Sequence, residues 1–223
     1  MKIVVLYKEG SGSDFHRLTN PYKKMKLDKG DSVLFISPEV KNVPLEMLKD
    51  ADFVVYSRIC PFEISIIEEW KSVYGFKLVV DFDDYWELYP HHALYKSWEI
   101  SKAKQAMLHS LAIADVVTVT TELLRDKVYP FNKNVYILPN ALEPEPYKEK
   151  KFDKINVIYT GGESHYFDLK TISSTIVRMN ELPDMRLIIA GYHNQTELSL
   201  KFWQKIENMV IKNKNCVFKP RVP

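Results

Sequence analysis

Long apolar runs are missing from this chain. No stretch approaches the ~18–20 consecutive apolar residues of a membrane-spanning helix. The N-terminus opens directly on a short strand-like segment rather than on the apolar core of a signal peptide. Cysteine is scarce: Cys60 and Cys216 are the only two, they fall in different halves of the chain, and two thiols do not make a metal cage. A disulfide framework is therefore excluded and a reducing compartment expected. A cytoplasmic location is the resulting expectation, with peripheral membrane contact left open. A surplus of one charge is missing as well. The 31 Lys and Arg balance 29 Asp and Glu to a net +2, which gives no reason to propose nucleic acid as a partner. The clusters Lys23-Lys24-Met25-Lys26 and Glu149-Lys150-Lys151 read as a solvated helix face and a solvated linker. No internal repeat appears at solenoid periods.

What is present is an alternation of two patterns. With 46% hydrophobic and 27% charged residues the chain has the composition of a folded globular protein rather than a disordered one. Short apolar runs at Lys2–Tyr7, Ser32–Ile36, Ala51–Tyr56, Lys77–Phe82, Val116–Val119 and Val135–Leu138 read as strands. Helices are predicted from Asn20-Pro21 toward Gly30, over Phe62–Tyr74 with Gly75 as the stop, over Leu94–Ile113, and from Glu122. The Pro- and charge-rich stretch Ala141–Asp153 has a linker composition. A second series follows: strand Ile155–Tyr159, helix Asp168–Glu181, strand Met185–Ala190, helix Thr196–Lys212 and strand Cys216–Lys219. The fold class is therefore α/β, with two Rossmann-like units over residues 1–145 and 153–223, each a parallel sheet covered by helices.

Ligands of such sheets gather at the carboxyl ends of the strands, so the residues that follow each strand carry the functional reading. Gly161-Gly162-Glu-Ser-His165 runs from a strand toward a helix. Small residues let backbone approach a phosphate, and His165 adds a hydrogen bond or a positive charge; a plain tight turn capped by Ser164 is the alternative. Gly10-Ser-Gly-Ser-Asp14 lacks the third glycine of a dinucleotide fingerprint, since Phe15 stands there, and no acidic residue ends the second strand at Ile36-Ser37. These absences argue against NAD. A flexible loop over a cleft is the reading, with Gly12, Asp14, His16 and Arg17 available to sugar hydroxyls or a charged acceptor, or simply solvated.

Asp81-Phe-Asp-Asp84 places three carboxylates in four residues at a strand end. Like charges this close need a metal, a substrate hydroxyl or a basic partner. A divalent metal site, a phosphatase-like Asp81/Asp83 pair and a turn beside a sugar-binding cleft compete, with Arg58 able to neutralise one carboxylate or reach a phosphate. His91-His92 permits a metal reading, and adjacent surface histidines are more often incidental. Trp86, Tyr89 and Tyr95 supply aromatic faces that serve either sugars or a core.

Taken in order, Asp81-Phe-Asp-Asp-Tyr-Trp86, a long helix, Ala114-Asp-Val-Val-Thr-Val-Thr-Thr-Glu-Leu-Leu124, Val135-Tyr-Ile-Leu-Pro-Asn140 and Ile155-Asn-Val-Ile-Tyr-Thr-Gly-Gly-Glu-Ser-His165 resemble the GT-B glycosyltransferases of the family 4 and family 1 type, in a divergent bacterial or phage-like branch. The resemblance runs from about Asp52 to the C-terminus. It implies two Rossmann-like domains, an N-terminal one for the acceptor and a C-terminal one for a nucleotide-diphospho-sugar, with no cofactor and no bound metal. Gly161, Gly162 and His165 would meet the donor diphosphate. Asp83 and Asp84 would be the catalytic carboxylates, and Gly12, Asp14, Arg17, Arg58, Thr120 and Asn140 would line the acceptor side or cleft. Two family features are absent: a basic pair clamping the phosphates and a Glu-x7-Glu segment. A C-terminally truncated second domain, with an unpaired sheet edge open to self-association or a partner subunit, is the corresponding expectation. A non-catalytic glycan-binding or assembly module and a Mg-dependent phosphohydrolase are the alternative functions.

Overall fold

The computed structural model describes residues 1–37, 47–90, 92, 94–141, 151–162, 165–192, 197–210 and 214–220. His91, Ser164 and most of the linker, all singled out above, lie outside the described residues. The chain divides into two compact units, Met1–Glu87 with Ser97–Pro144, and Leu88–Lys96 with Glu145–Pro223.

The first unit is built on a six-stranded parallel sheet of β1 (Lys2–Leu6), β2 (Ser32–Ile36), β3 (Phe53–Ser57), β4 (Lys77–Phe82), β5 (Val116–Val119) and β6 (Val135–Ile137), in the spatial order β2-β1-β3-β4-β5-β6. Strand side chains alternate between faces, and in β1, β3 and β4 both faces are buried. Val4 and Leu6 of β1 join Val54 and Tyr56 of β3 in the larger core, while Ile3, Val5 and Val55 point into the smaller one with Leu18. That is why these strands read as continuous apolar runs. The order reverses direction between β1 and β3, so the switch point, where an open parallel sheet leaves a crevice, lies at their carboxyl ends.

The helices differ from the expected bounds in three places. The segment after β1 is not a flexible loop. It is helical from α1 (Gly12–Asp14) through a π-helical turn (Phe15–Thr19) to α2 (Asn20–Lys24). Ser11 caps it by accepting the Asp14 amide at 3.2 Å, a Ser-x-x-Asp start. Pro21 has no amide to donate within a helix. The wide turn before it, closed by the Asn20 amide on the Phe15 carbonyl, accommodates that loss. Leu18 and Tyr22, four residues apart, then face the smaller core.

The long helix is likewise two helices, α4 (Tyr95–Ile100) and α5 (Ala103–Ile113), broken where Lys102 takes a φ of 53°. α3 (Ile64–Tyr74) ends at Gly75 in the left-handed conformation, and α6 (Glu122–Val128) starts at Thr121, whose hydroxyl accepts the Leu124 amide at 3.2 Å.

In the second unit β7 (Ile155–Thr160), β8 (Met185–Tyr192) and β9 (Cys216–Pro220) form a parallel sheet in that order. The helix expected over Asp168–Glu181 begins earlier and is broken into α7 (Tyr166–Thr171), α8 (Ser173–Arg178) and a 3-10 turn (Met179–Glu181). With α9 (Glu197–Val210) these bury Leu169, Ile176, Leu187, Ile189, Trp203 and Ile206. No helix among the described residues is long and apolar enough to cross a membrane.

Candidate functional site

In the first unit the polar residues at the ends of β1, β3, β4, β5 and β6 are tied together in three groups. The first is centred on a buried pair between Arg17 of the π-helical turn and Asp81 of β4. Arg17 Nε donates to Asp81 Oδ2 at 2.9 Å and Nη2 to Oδ1 at 2.6 Å, with the two residues 6% and 2% exposed. The Thr118 hydroxyl donates to the same Oδ1 at 2.5 Å. Arg17 Nη1 reaches on to the Leu138 carbonyl at 2.7 Å and the Asn140 side-chain oxygen at 3.2 Å. One guanidinium thus ties the first helical run to the ends of β4 and β6. A planar five-donor fork suits that task and an ammonium does not. Tyr22 lies beside the pair, and its phenol is pushed up to about 12, by burial first and then by the Asp81 charge.

Asp14 is the second buried carboxylate. It accepts the Lys8 amide at 2.7 Å and the Ser57 hydroxyl at 2.7 Å, closing the turn after β1 against the end of β3. Arg58 follows β3 and ion-pairs with Asp83 and, at 3.2 Å, with Asp84. The Asp83 side chain is largely buried, whereas that of Asp84 is 71% exposed. The Thr120 hydroxyl meets the Asp83 carbonyl at 3.4 Å.

The acidic cluster is therefore neutralised by two different arginines rather than gathered around one centre. Asp81 and Asp83 are not a pair open to one metal ion, and no group of three or more ligand-type side chains is found among the described residues. Trp86 belongs to the core at 3% exposed, edge-on to Phe82 and Phe131, while Tyr89 is exposed. His92 Nδ1 accepts the Leu94 amide at 3.1 Å.

Two cavities open at these strand ends. One of about 570 Å³ lies at the β1/β3 switch point, between Lys8–Asp14 and Ser57–Pro61, and takes in Asp14 and Arg58. The other, about 380 Å³, is lined by Gly12, Ser13, His16, Arg17, Asp83 and Asn140. Of the residues marked from the sequence, these cavities gather Gly12, Asp14, His16, Arg17, Arg58, Asp83 and Asn140. Thr120 touches only the backbone behind Asp83, and Asp84 points outward. Ser57 and Thr118 were marked by their strand-end position alone, with no role assigned, and Lys8, just after β1, was not marked.

In the second unit Gly161 and Gly162 follow β7, and His165 precedes α7. The Gly161 amide donates to the Ala190 carbonyl at 3.1 Å, and His165 Nδ1 lies 2.7 Å from Asp168 Oδ2. Gly191, at φ 116°, backs directly onto this turn: a Cβ there would lie 2.3 Å from the Gly161 carbonyl oxygen. A Cβ on Gly161 would press on the Tyr159 hydroxyl at 3.1 Å and on the His165 ring at 3.3 Å. The ends of β7 and β8 are thus held together by bare backbone, with one histidine beside them.

No protein-family model matches the sequence, and no curated protein sequence matches it. Solved structures match in fold. Sucrose-phosphate synthase from Thermosynechococcus elongatus aligns with a TM-score of 0.64 at 12% identity, over 99% of this chain and 70% of its own. HepE from Anabaena, solved in complex with UDP-glucose, aligns with a TM-score of 0.66 at 11% identity, over 100% of this chain and 70% of its own. TarM aligns with a TM-score of 0.51 at 12% identity, over 78% of this chain and 33% of its own. These neighbours are glycosyltransferases of the GT-B fold, and identities this low establish the shared architecture only.

Proposed function

We propose that this chain, which shares the GT-B fold, is a glycosyltransferase that moves a sugar from a nucleotide-diphospho-sugar to a hydroxyl-bearing acceptor. The observation that carries the reading is the likeness of nearly the whole chain to two sugar-transferring proteins, one of them solved with UDP-glucose. The glycine turn after β7 supports the donor side. Close backbone approach at a glycine turn suits a diphosphate, and a histidine beside it can stabilise the charge that gathers on a leaving phosphate. Gly161, Gly162 and His165 are assigned that role.

The acceptor belongs in this reading to the switch-point cavities of the first unit. Asp83, fixed by Arg58 and facing the smaller cavity, accepts a hydrogen bond from the attacking hydroxyl. Asp84 shares Arg58 and sits at the rim. The acceptor oxygen bonds to the anomeric carbon as its proton passes to the Asp83 carboxylate, the bond from that carbon to the diphosphate oxygen breaks, and the nucleoside diphosphate leaves with the electron pair. Asp14 and Arg17, buried and fully engaged, hold the strand ends in place, so their role is positioning. Gly12, Thr120 and Asn140 complete the surroundings.

The test is a screen of UDP-, GDP- and ADP-sugars for nucleoside diphosphate release in the presence of mixed glycan acceptors. Turnover with one donor that falls at least tenfold in Asp83→Asn supports the assignment. Donor binding without turnover would favour a non-catalytic glycan-binding module, and Mg-dependent release of inorganic phosphate would favour a phosphohydrolase.

A further inference from the structure

The polar cavity at the β1/β3 switch point does not stand alone. Arg58, Ile59 and Cys60 form a wall that it shares with a third cavity of about 330 Å³, which runs between the start of α3 and the start of α5. The two differ in chemistry. The 570 Å³ cavity holds the polar side chains of Lys8, Glu9, the serines 11, 13 and 57, and Asp14 beside Ile59 and Pro61. The recess beyond the wall is lined by Phe62, Ile64, Ala103, Ala106 and Met107, with Ser65 of α3 and Ser110 of α5 at its sides.

The recess exists because of chain geometry. Ala103 and Ala106 lie one turn apart on α5, and their small side chains leave unfilled the space between α5 and Ile64 at the first turn of α3. The dividing wall carries Ile59, 53% exposed, so the apolar lining reaches the edge of the polar cavity. Small-molecule sites combine this kind of apolar lining with a few placed polar groups, and their volumes run from ~300 to 1,000 Å³. Each cavity here reaches that range; the first holds the charged and hydroxyl groups, and the recess carries the apolar lining further.

We infer that the acceptor is amphipathic: its hydroxyl-bearing head occupies the switch-point cavity, and an apolar aglycone joined to that head lies in the recess between α3 and α5. This rests on placing the acceptor in the first unit, as proposed above. The head meets serine hydroxyls and the Lys8 and Glu9 side chains. The aglycone passes Ile59 and covers Phe62, Ala106 and Met107. Cys60 in the shared wall is kept as an uncharged thiol by burial, which pushes it up to about 12, and suits an apolar contact.

The test compares methyl and n-hexyl β-D-glucopyranoside, the second below its micelle concentration, by saturation-transfer NMR titration of the full chain. The hexyl glycoside is expected to bind roughly tenfold or more tightly, since each buried methylene adds favourable transfer energy. Ala106→Phe and Ser65→Trp block the recess from its two walls and are both expected to abolish that advantage. Equal affinities, no binding of either glycoside, or a hexyl advantage that survives both variants overturns the inference. UDP-glucose is titrated into the same samples. Donor binding without a hexyl preference removes this inference and leaves sugar transfer standing; a hexyl preference with no binding of any nucleotide sugar does the reverse.

Discussion

Replacing Arg17 by methionine is expected to be among the most damaging single changes to the first unit. The guanidinium makes two charge-assisted bonds to Asp81 and two more to Leu138 and Asn140, from a site 6% exposed. Methionine keeps most of the length and apolar bulk of the arm, so the loss is mainly electrostatic. It leaves Asp81 buried, with Thr118 as its one remaining side-chain donor. Removing one partner of a buried pair costs ~3–5 kcal/mol, a large part of the ~5–15 kcal/mol that holds a typical domain together. Burying both charges was itself costly, so a paired apolar replacement recovers much of the loss. Asp81→Leu added to Arg17→Met should therefore restore at least ~2 kcal/mol relative to the sum of the single changes. The assay is urea unfolding followed by tryptophan fluorescence, with Trp86 buried in this unit as a reporter. A loss below ~1 kcal/mol in Arg17→Met, or strictly additive changes in the double variant, would refute the reasoning.

Three further outcomes are expected. Gly191→Ala should destabilise the second unit by ~2 kcal/mol or more, because its Cβ meets the Gly161 carbonyl oxygen at 2.3 Å on a backbone with φ 116°; an unchanged thermal midpoint would contradict this. The Cys60 thiol, raised by burial from 9.0 to about 12, should react with a disulfide reagent at pH 8 ~30-fold more slowly than in denaturant, the smaller thiolate fraction being partly offset by the greater nucleophilicity of a high-pKa thiolate; labelling at the rate of a free thiol would count against it. Burial alone would raise Asp115, but hydrogen bonds from Lys71, the Leu78 amide and Lys77 outweigh it and hold the carboxyl below its ordinary 3.8. A depressed native value stabilises the fold above pH ~4 and is lost as pH falls through it, so Asp115→Asn should lower the melting temperature at pH 6 and converge with the parent near pH 2; a deficit that persists unchanged in acid would show another cause.

Much of the frame was legible because it depends on pattern. Buried parallel strands such as Lys2–Leu6 and Lys77–Phe82 must be continuously apolar, and Gly75 stops α3 because a left-handed residue is needed there. What escaped the sequence reading depends on contacts between distant segments. The helical run after β1 carried its own signal, Ser11 three residues before Asp14, but its two glycines argued for a loop. Arg17 reads as a solvent-facing ligand group until the fold sets it against Asp81, 64 residues on. The carboxylates 81, 83 and 84 look like one centre on paper. The end of β4 turns them apart, toward Arg17 and Arg58, and alternation along a strand does not say which arginine waits on each side. The break at Lys102 left no sign in the apolar spacing of the helix it divides.

Calorimetric titration of the chain with UDP-glucose tests the central claim most directly, alongside the GDP- and ADP-sugars. Sugar transfer from a nucleotide donor requires saturable binding of at least one of them, weakened tenfold or more when His165→Ala or Gly161→Val alters the turn after β7. Absence of measurable binding for all three classes, or binding that neither substitution disturbs, would contradict it.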